Sequence, residues 1–283
     1  MASLQKIKSR LQTVESIRKI THAMELVSTS KMRRARDYFN TASLYHDQVV
    51  DLLDKFLINV DASELREYWG RQLKPHQIHI ILASDMGLAG SYNSNVLKLA
   101  SQQIKPGDEL ILIGSKAIGA FAQKYQNQVL FSWKWEQIEP NRIANQLSRK
   151  LIDKYIDGSI GKINVIYNKF INNLVQQECI EQILPYERGQ ELNHNAKGTQ
   201  IIDFEPNAHD VLVNALPIFV SAKINLAFAG AIISEYAARR SAMETATDNA
   251  DELINNLNLE YNRKRQSNIT QELNEIVGGA NAV

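Results

Sequence analysis

Two glycine-bearing turns are the first places in this sequence where chemistry could sit. Gly87 and Gly90 follow one apolar run, and the hexapeptide Gly114-Ser115-Lys116-Ala117-Ile118-Gly119 follows another. Such a strand-to-helix turn holds phosphate through backbone N–H groups at a helix start. Neither turn has the G-x-G-x-x-G spacing, and no G-x-x-x-x-G-K-[ST] loop occurs in the chain. His76 and His79 are three residues apart. On a strand that spacing sends them to opposite faces, so they are not read as metal ligands. Ser84 and Asp85 have no histidine beside them to activate a nucleophile. Cys179 is the only cysteine, which excludes an intrachain disulfide and points to a reducing compartment. The expectation is a chain with no catalytic residue, no cofactor and no metal.

What the sequence offers instead is charge and periodicity. The net charge is only +1, but residues 1–36 carry nine basic side chains against Glu15 and Glu25. Such a face expects an acidic partner. A nucleic acid is the rival partner, but the track stops at Asp47, Asp51 and Asp54 and has no base-reading aromatics, so none is expected. Two other rivals are an enzyme built on the central segment and a free-standing scaffold. The start, Met-Ala-Ser-Leu-Gln-Lys-Ile, has no apolar h-region. No apolar run approaches the roughly 20 residues of a membrane span; Ile224–Ile233 is the richest stretch and holds Asn225. Membrane association is therefore expected through partners.

These features need long helices to carry them. Residues 3–57 contain neither Gly nor Pro, and a helix of that length runs roughly 80 Å. Apolar residues recur at three-four spacing through Leu4, Ile7, Leu11, Val14, then Ile17, Ile20, Met24, Val27, then Met32, Ala35, Phe39, Ala42, His46, Val49, Leu53, Phe56. This is a coiled-coil seam whose phase slips after Val14 and again after Val27. Asp210 to Val277 holds one Pro, Pro217, and one Gly, Gly230. Its length would be about 100 Å if unbroken. Pro217 is tolerated only in a first turn or at a kink and marks the place for a break. Met243, Ala246, Ala250, Leu253 and Leu257 form its seam, and Gly278-Gly279 its end. Dense alanines from Ala227 to Ala242 let two helix axes approach.

Between the helices the period changes to that of strands and crossover helices. Strands are expected at His76–Ala83, Glu109–Ile113, Val129–Phe131, Lys162–Tyr167 and Leu174–Ile183. Helices are expected near Asn95–Gln103, Lys116–Tyr125 and Pro140–Ile156. Residues 188–208 read as a polar loop with one short strand at Gln200–Phe204. The expected class is α/β: a small Rossmann-like central sheet with a long antiparallel coiled coil formed by the N- and C-terminal helices. The expected boundaries are 1–60, 75–207 and 208–283. Helices this long cannot pack on so small a domain. They should pair, project from it, and leave apolar positions for a surrounding partner.

The run Ile17-Arg18-Lys19-Ile20-Thr21-His22-Ala23-Met24-Glu25-Leu26-Val27-Ser28-Thr29-Ser30-Lys31-Met32 resembles the N-terminal signature of the F-type ATP synthase γ subunits. Arg239 to Ala250, Asn262 to Gln266 and Ile269 to Ala280 resemble the family's C-terminal blocks, and Ser84 to Gly90 its loop after the first central strand. The family often has a basic residue where Met86 stands and Cys where Ala89 stands. The chain lacks the insertion and cysteine pair of chloroplast-type members, so thiol regulation of that kind is not implied. The resemblance implies a central-stalk rotor inside an α3β3 ring, coupling proton flow to ATP synthesis or hydrolysis. It implies α, β and ε subunits and a membrane c-ring as partners, on the cytoplasmic face of a bacterial inner membrane. Met24, Arg240, Thr270, Gln271 and Glu272 lie in blocks implied to contact β loops. Lys19, Arg33, Arg34 and Arg36 are added as partner contacts on charge alone.

Overall fold

The computed structural model describes residues 2–60, 75–186, 203–205 and 207–280. The elements in order are α1 (Ala2–Ile58), β1 (Gln77–Leu82), α2 (Tyr92–Gln103), β2 (Glu109–Ile113), α3 (Ser115–Phe121), β3 (Val129–Trp133), α4 (Pro140–Ile156), β4 (Lys162–Phe170), β5 (Gln176–Leu184) and α5 (Ala208–Ala280). A short 3-10 turn, Trp135–Gln137, precedes α4. Residues 1–30 with 239–283 form one compact unit and residues 31–238 a second.

In the second unit the strands form one sheet in the order β3-β2-β1-β4-β5. The first four are parallel, and β5 returns antiparallel to β4, pairing Ile166 with Ile180. Strands buried on every side chain, such as Ile78-His79-Ile80-Ile81-Leu82, need cover on both faces. Ile78, Ile80, Leu82, Ile111 and Val165 pack on one side with Leu53 and Leu57 of α1, Leu147 and Leu151 of α4, and Phe219 and Phe228 of α5. Ile81, Leu110, Leu112 and Ile166 pack on the other with Val96 and Ala100 of α2 and Ala117 and Phe121 of α3. The expected sheet with crossover helices is present, and β2 and α4 keep their expected bounds.

Helix α5 departs from expectation in three ways. It passes through Pro217 without a break. Leu216 and Phe219, the neighbours of that proline, are buried in the sheet core, so tertiary packing holds the turn that lacks an N–H donor. The helix also runs through Gly278 and Gly279 to Ala280. Third, it contains an 18-residue window of mean hydropathy 1.8, apolar enough to cross a membrane, with 72% of that window buried. Here that apolarity covers a sheet. Gly230 has a packing reason: a Cβ there would stand 3.2 Å from the Tyr167 ring and 3.7 Å from Phe39. The strand expected at Gln200–Phe204 falls mostly outside the described residues; Asp203 and Phe204 are not strand.

The sheet carries one buried titrating pair. His79 Nε2 lies 3.3 Å from Asp108 Oδ2, and both side chains are buried. Asp108 also accepts the backbone N–H groups of Gln77 at 3.0 Å and Lys105 at 2.8 Å. Burial pushes the His79 imidazole below its usual value, against the pull of Asp108, and Lys105 adds to the depression. The unfolded chain therefore takes up this proton first as pH falls through about 6.5. The stability from the neutral ring is complete above that pH and declines below it. The thermal midpoint should fall between pH 7.5 and 5.5, by about 2–4 °C for each kcal/mol lost. His79→Gln should flatten that slope, whereas parallel slopes in the two proteins would refute the assignment.

Candidate functional site

In the first unit α1 and α5 pair antiparallel. Arg18 donates to Asp251, and the Thr247 hydroxyl donates to Thr21 Oγ1 at 2.8 Å. Three steps forward on α1 meet four steps back on α5. The seam is not the one expected. Within the first unit the buried or half-buried positions on α1 are Leu4, Ile7, Leu11, Val14, Arg18, Thr21, Met24, Glu25, Ser28 and Thr29, and all but Met24 and Thr29 follow one heptad without a slip. Where the sequence suggested Ile17, Ile20 and Val27 for the seam, the structure turns them outward; Ile20 is 59% and Val27 55% exposed. Helical geometry keeps the seven-residue phase, so polar residues fall at the contact. On α5 the seam runs Met243, Thr247, Ala250, Ile254, Leu257 and Tyr261, and Leu253 faces out.

The polar seam is tolerated because its hydroxyls are bonded locally. Thr21 Oγ1 donates to the Arg18 carbonyl at 3.0 Å, and Ser28 Oγ to the Met24 carbonyl at 2.7 Å. Between residues 17 and 28 of α1 the result inverts an ordinary amphipathic helix. Ile17, Ile20, Leu26 and Val27 are exposed on α1, and Leu253, Leu259, Ile269, Leu273 and Val277 on α5.

The predicted contact residues fall in both units. Lys19 is exposed and Met24 half-buried in the first. Arg240 is half-buried, with Nη2 3.9 Å from Glu244 and Nε buried without a hydrogen bond. Thr270, Gln271 and Glu272 are exposed one after another, and Thr270 bonds back to the Gln266 carbonyl at 3.0 Å. Arg33, Arg34 and Arg36 are exposed in the second unit, and Arg36 donates to Asn173 in the β4–β5 turn. The Arg18–Asp251 and Thr21–Thr247 pairs become legible only when the heptad from Leu4 and Ile7 is carried through the polar residues.

The loop after β1 is built as a staple. Asp85 Oδ1 accepts the Ser115 N–H at 2.8 Å and its hydroxyl at 3.0 Å, while Oδ2 accepts the Trp135 N–H at 2.8 Å. The Trp135 indole donates to the Ala83 carbonyl at 2.6 Å. One carboxylate thus ties together the turns that follow β1, β2 and β3. The strand order reverses between β1 and β4, where open α/β sheets usually hold a ligand. That crevice contains the chain itself: Asn168 donates to the Tyr92 carbonyl at 2.8 Å, and the Tyr92 hydroxyl to the Ala231 carbonyl of α5 at 3.0 Å.

The ATP synthase family profile matches residues 3–283. The ATP synthase gamma chain of Mycoplasmopsis agalactiae is 43% identical over the whole of both chains. The chain belongs to the ATP synthase gamma chain family. The gamma chain of Mycoplasmopsis pulmonis is 40% identical over 99% of both chains. A chain of the Euglena gracilis mitochondrial ATP synthase has the same fold, with a TM-score of 0.65 at 16% identity over 99% of this chain and 94% of that one. A chain from the central stalk and c-ring of the Tetrahymena thermophila enzyme gives 0.64 at 22% identity, over 80% and 99%.

Proposed function

We propose that this chain is the rotating shaft of a proton-translocating ATP synthase, with no catalytic residue of its own. One observation carries the reading: between residues 17 and 28, α1 bonds to α5 through polar residues and turns Ile17, Ile20, Leu26 and Val27 outward. A helix pair in water gains nothing from that inversion, whereas a pair enclosed by other subunits does. Its partners are the α and β subunits of a nucleotide-binding ring, an ε subunit and a membrane c-ring, at the cytoplasmic face of a bacterial membrane. The shaft lacks the ring's threefold symmetry, so each β subunit meets a different face of it. Only that difference in contact energy shifts a β subunit between its open and closed states. Lys19, Met24, Arg33, Arg34, Arg36, Arg240, Thr270, Gln271 and Glu272 are the proposed contacts.

Met24 tests the reading. It is half-buried beside the outward stripe. A lysine there should grip an acidic β loop and impair coupling more than assembly. In the assembled synthase, Met24→Lys should keep more ATP hydrolysis than ATP-driven proton pumping, both measured on one preparation. Equal loss of the two activities, or loss of neither, would count against the proposal.

A further inference from the structure

A cleft of about 380 Å³ opens between three helices of the second unit, α1, α4 and α5. Helix α1 lends it Tyr38, Ala42 and Tyr45, and α5 lends Ser221, Ala222 and Asn225, each set on one helical face. Helix α4 adds Asn141 and Asn145, one turn apart. Ala42 and Ala222 are buried and small, while Tyr45 is half-exposed. Among the described residues that line it there is no Asp, Glu, Lys, Arg or His. The Tyr38 hydroxyl donates to Asn225 Oδ1, and the Ser221 hydroxyl to Asn145 Oδ1. These bonds occupy the amide oxygens and fix how both amides point. Among the described residues none accepts from the Nδ2 groups of Asn141, Asn145 or Asn225. Each such group carries two N–H donors. Burial pushes the Tyr38 hydroxyl up, and the bond to Asn225 pulls it only part of the way back. The cleft is thus uncharged at neutral pH and rich in donors.

An ion entering this cleft would shed its water without meeting an opposite charge. A wholly apolar molecule would strip water from the amides and leave their N–H groups unbonded. What fits is a neutral molecule with acceptor oxygens along its edge and C–H groups on its faces. The oxygens take the donors of Asn145 and Asn225, and the C–H faces take Ala42, Ala222 and the Tyr45 ring. The volume lies at the small end of the roughly 300–1,000 Å³ of ligand sites. We infer that this cleft binds a neutral polyhydroxylated small molecule, of the polyol or monosaccharide class, through the Asn145 and Asn225 amides. A molecule seated there bridges both terminal helices to α4. The inference needs only the folded chain and goes beyond the reading of that chain as a shaft.

The test titrates the full-length chain with myo-inositol and, separately, with glucose, followed by saturation-transfer NMR of the ligand protons. A neutral ligand of this size should bind with a Kd on the order of a few millimolar. Glucose 6-phosphate has the same ring and a charged group, and should bind at least about tenfold more weakly. Asn145→Asp and Asn225→Asp, made together, read the amides directly. An aspartate oxygen still accepts from Ser221 or Tyr38, so the bonds that serve the fold remain while the N–H donors are gone. The double variant should melt within about 3 °C of the parent. Its Kd for the neutral probes should rise at least about tenfold. If that variant does not fold, Tyr45→Ala at the exposed rim decides, with an expected loss of about threefold or more. Absence of saturable binding for both neutral probes overturns the proposal. So does equal binding of the phosphate, or unchanged affinity in the variant that folds. None of these outcomes bears on the shaft reading, which is tested in the assembled synthase.

Discussion

Replacing Ile20 and Val27 together by lysine should leave this chain folded and the assembled synthase nearly unable to pump protons. Both side chains stand outside the helix pair, at 59% and 55% exposure, so the isolated chain loses almost no buried apolar area. Surface substitutions away from caps, cores and networks usually change stability by less than about 0.5 kcal/mol. The thermal midpoint should therefore stay within about 2 °C of the parent. Inside an enclosing ring the same positions become contacts, and an unpaired ammonium placed in an apolar interface must be desolvated. A penalty of about 1.4 kcal/mol is already tenfold in an equilibrium, and two such sites should exceed it. The contrasting change is Thr21→Lys, which puts the charge into the seam beside Thr247 and should lower the midpoint of the chain alone. Circular-dichroism melting of the chain and ATP-driven pumping of the complex give the two readouts. A large melting loss in the double lysine variant would mean that Ile20 and Val27 serve the fold and that the outward stripe is no partner surface.

This contrast also marks how much could be read from the residues. Scarcity of Gly and Pro over long stretches marked both long helices, and alternation of apolar runs with helical stretches marked all five strands within a few residues. The seam between residues 14 and 30 was misplaced for a physical reason. A search by hydropathy follows apolar side chains, and here they point outward, while Arg18, Thr21 and Ser28 hold the geometric contact. Leu253 was exchanged for Ile254 by the same error on α5. Pro217 was overrated as a helix breaker because a local rule cannot see the sheet core that holds Leu216 and Phe219. Asp85 looked idle because its partners, Ser115 and Trp135, are distant in sequence. Leu174 and Val175, expected to open the last strand, lie in the turn before Gln176, where Asn172 caps their N–H groups.

Gly114, which in sequence only marks a turn, sits where the central unit should be least tolerant of change. Its φ is +97° and its ψ 140°, a conformation essentially restricted to glycine. A Cβ there would stand 2.0 Å from the Ala83 carbonyl oxygen and 2.6 Å from its carbon. That oxygen cannot retreat freely, because it accepts the Trp135 indole at 2.6 Å, while Ala83 N–H is held by the Ile113 carbonyl at 2.9 Å. Asp85, two residues on, fixes Ser115 and Trp135 as well. One methyl group thus pushes on the junction of three strands. Strain at such a φ costs about 1–3 kcal/mol, and displacement of a pinned backbone adds to it. We expect Gly114→Ala to lose at least about 3 kcal/mol, a large share of the roughly 5–15 kcal/mol that stabilises a domain. Gly119 supplies the opposite sign. It lies within α3, and a Cβ there meets nothing within 4 Å. Gly119→Ala should stabilise the chain by about 0.5–1 kcal/mol through helix propensity and a less flexible unfolded state. Urea unfolding followed by tryptophan fluorescence resolves both changes, and similar midpoints for the two variants would show that the turn after β2 is not the strained joint its geometry describes.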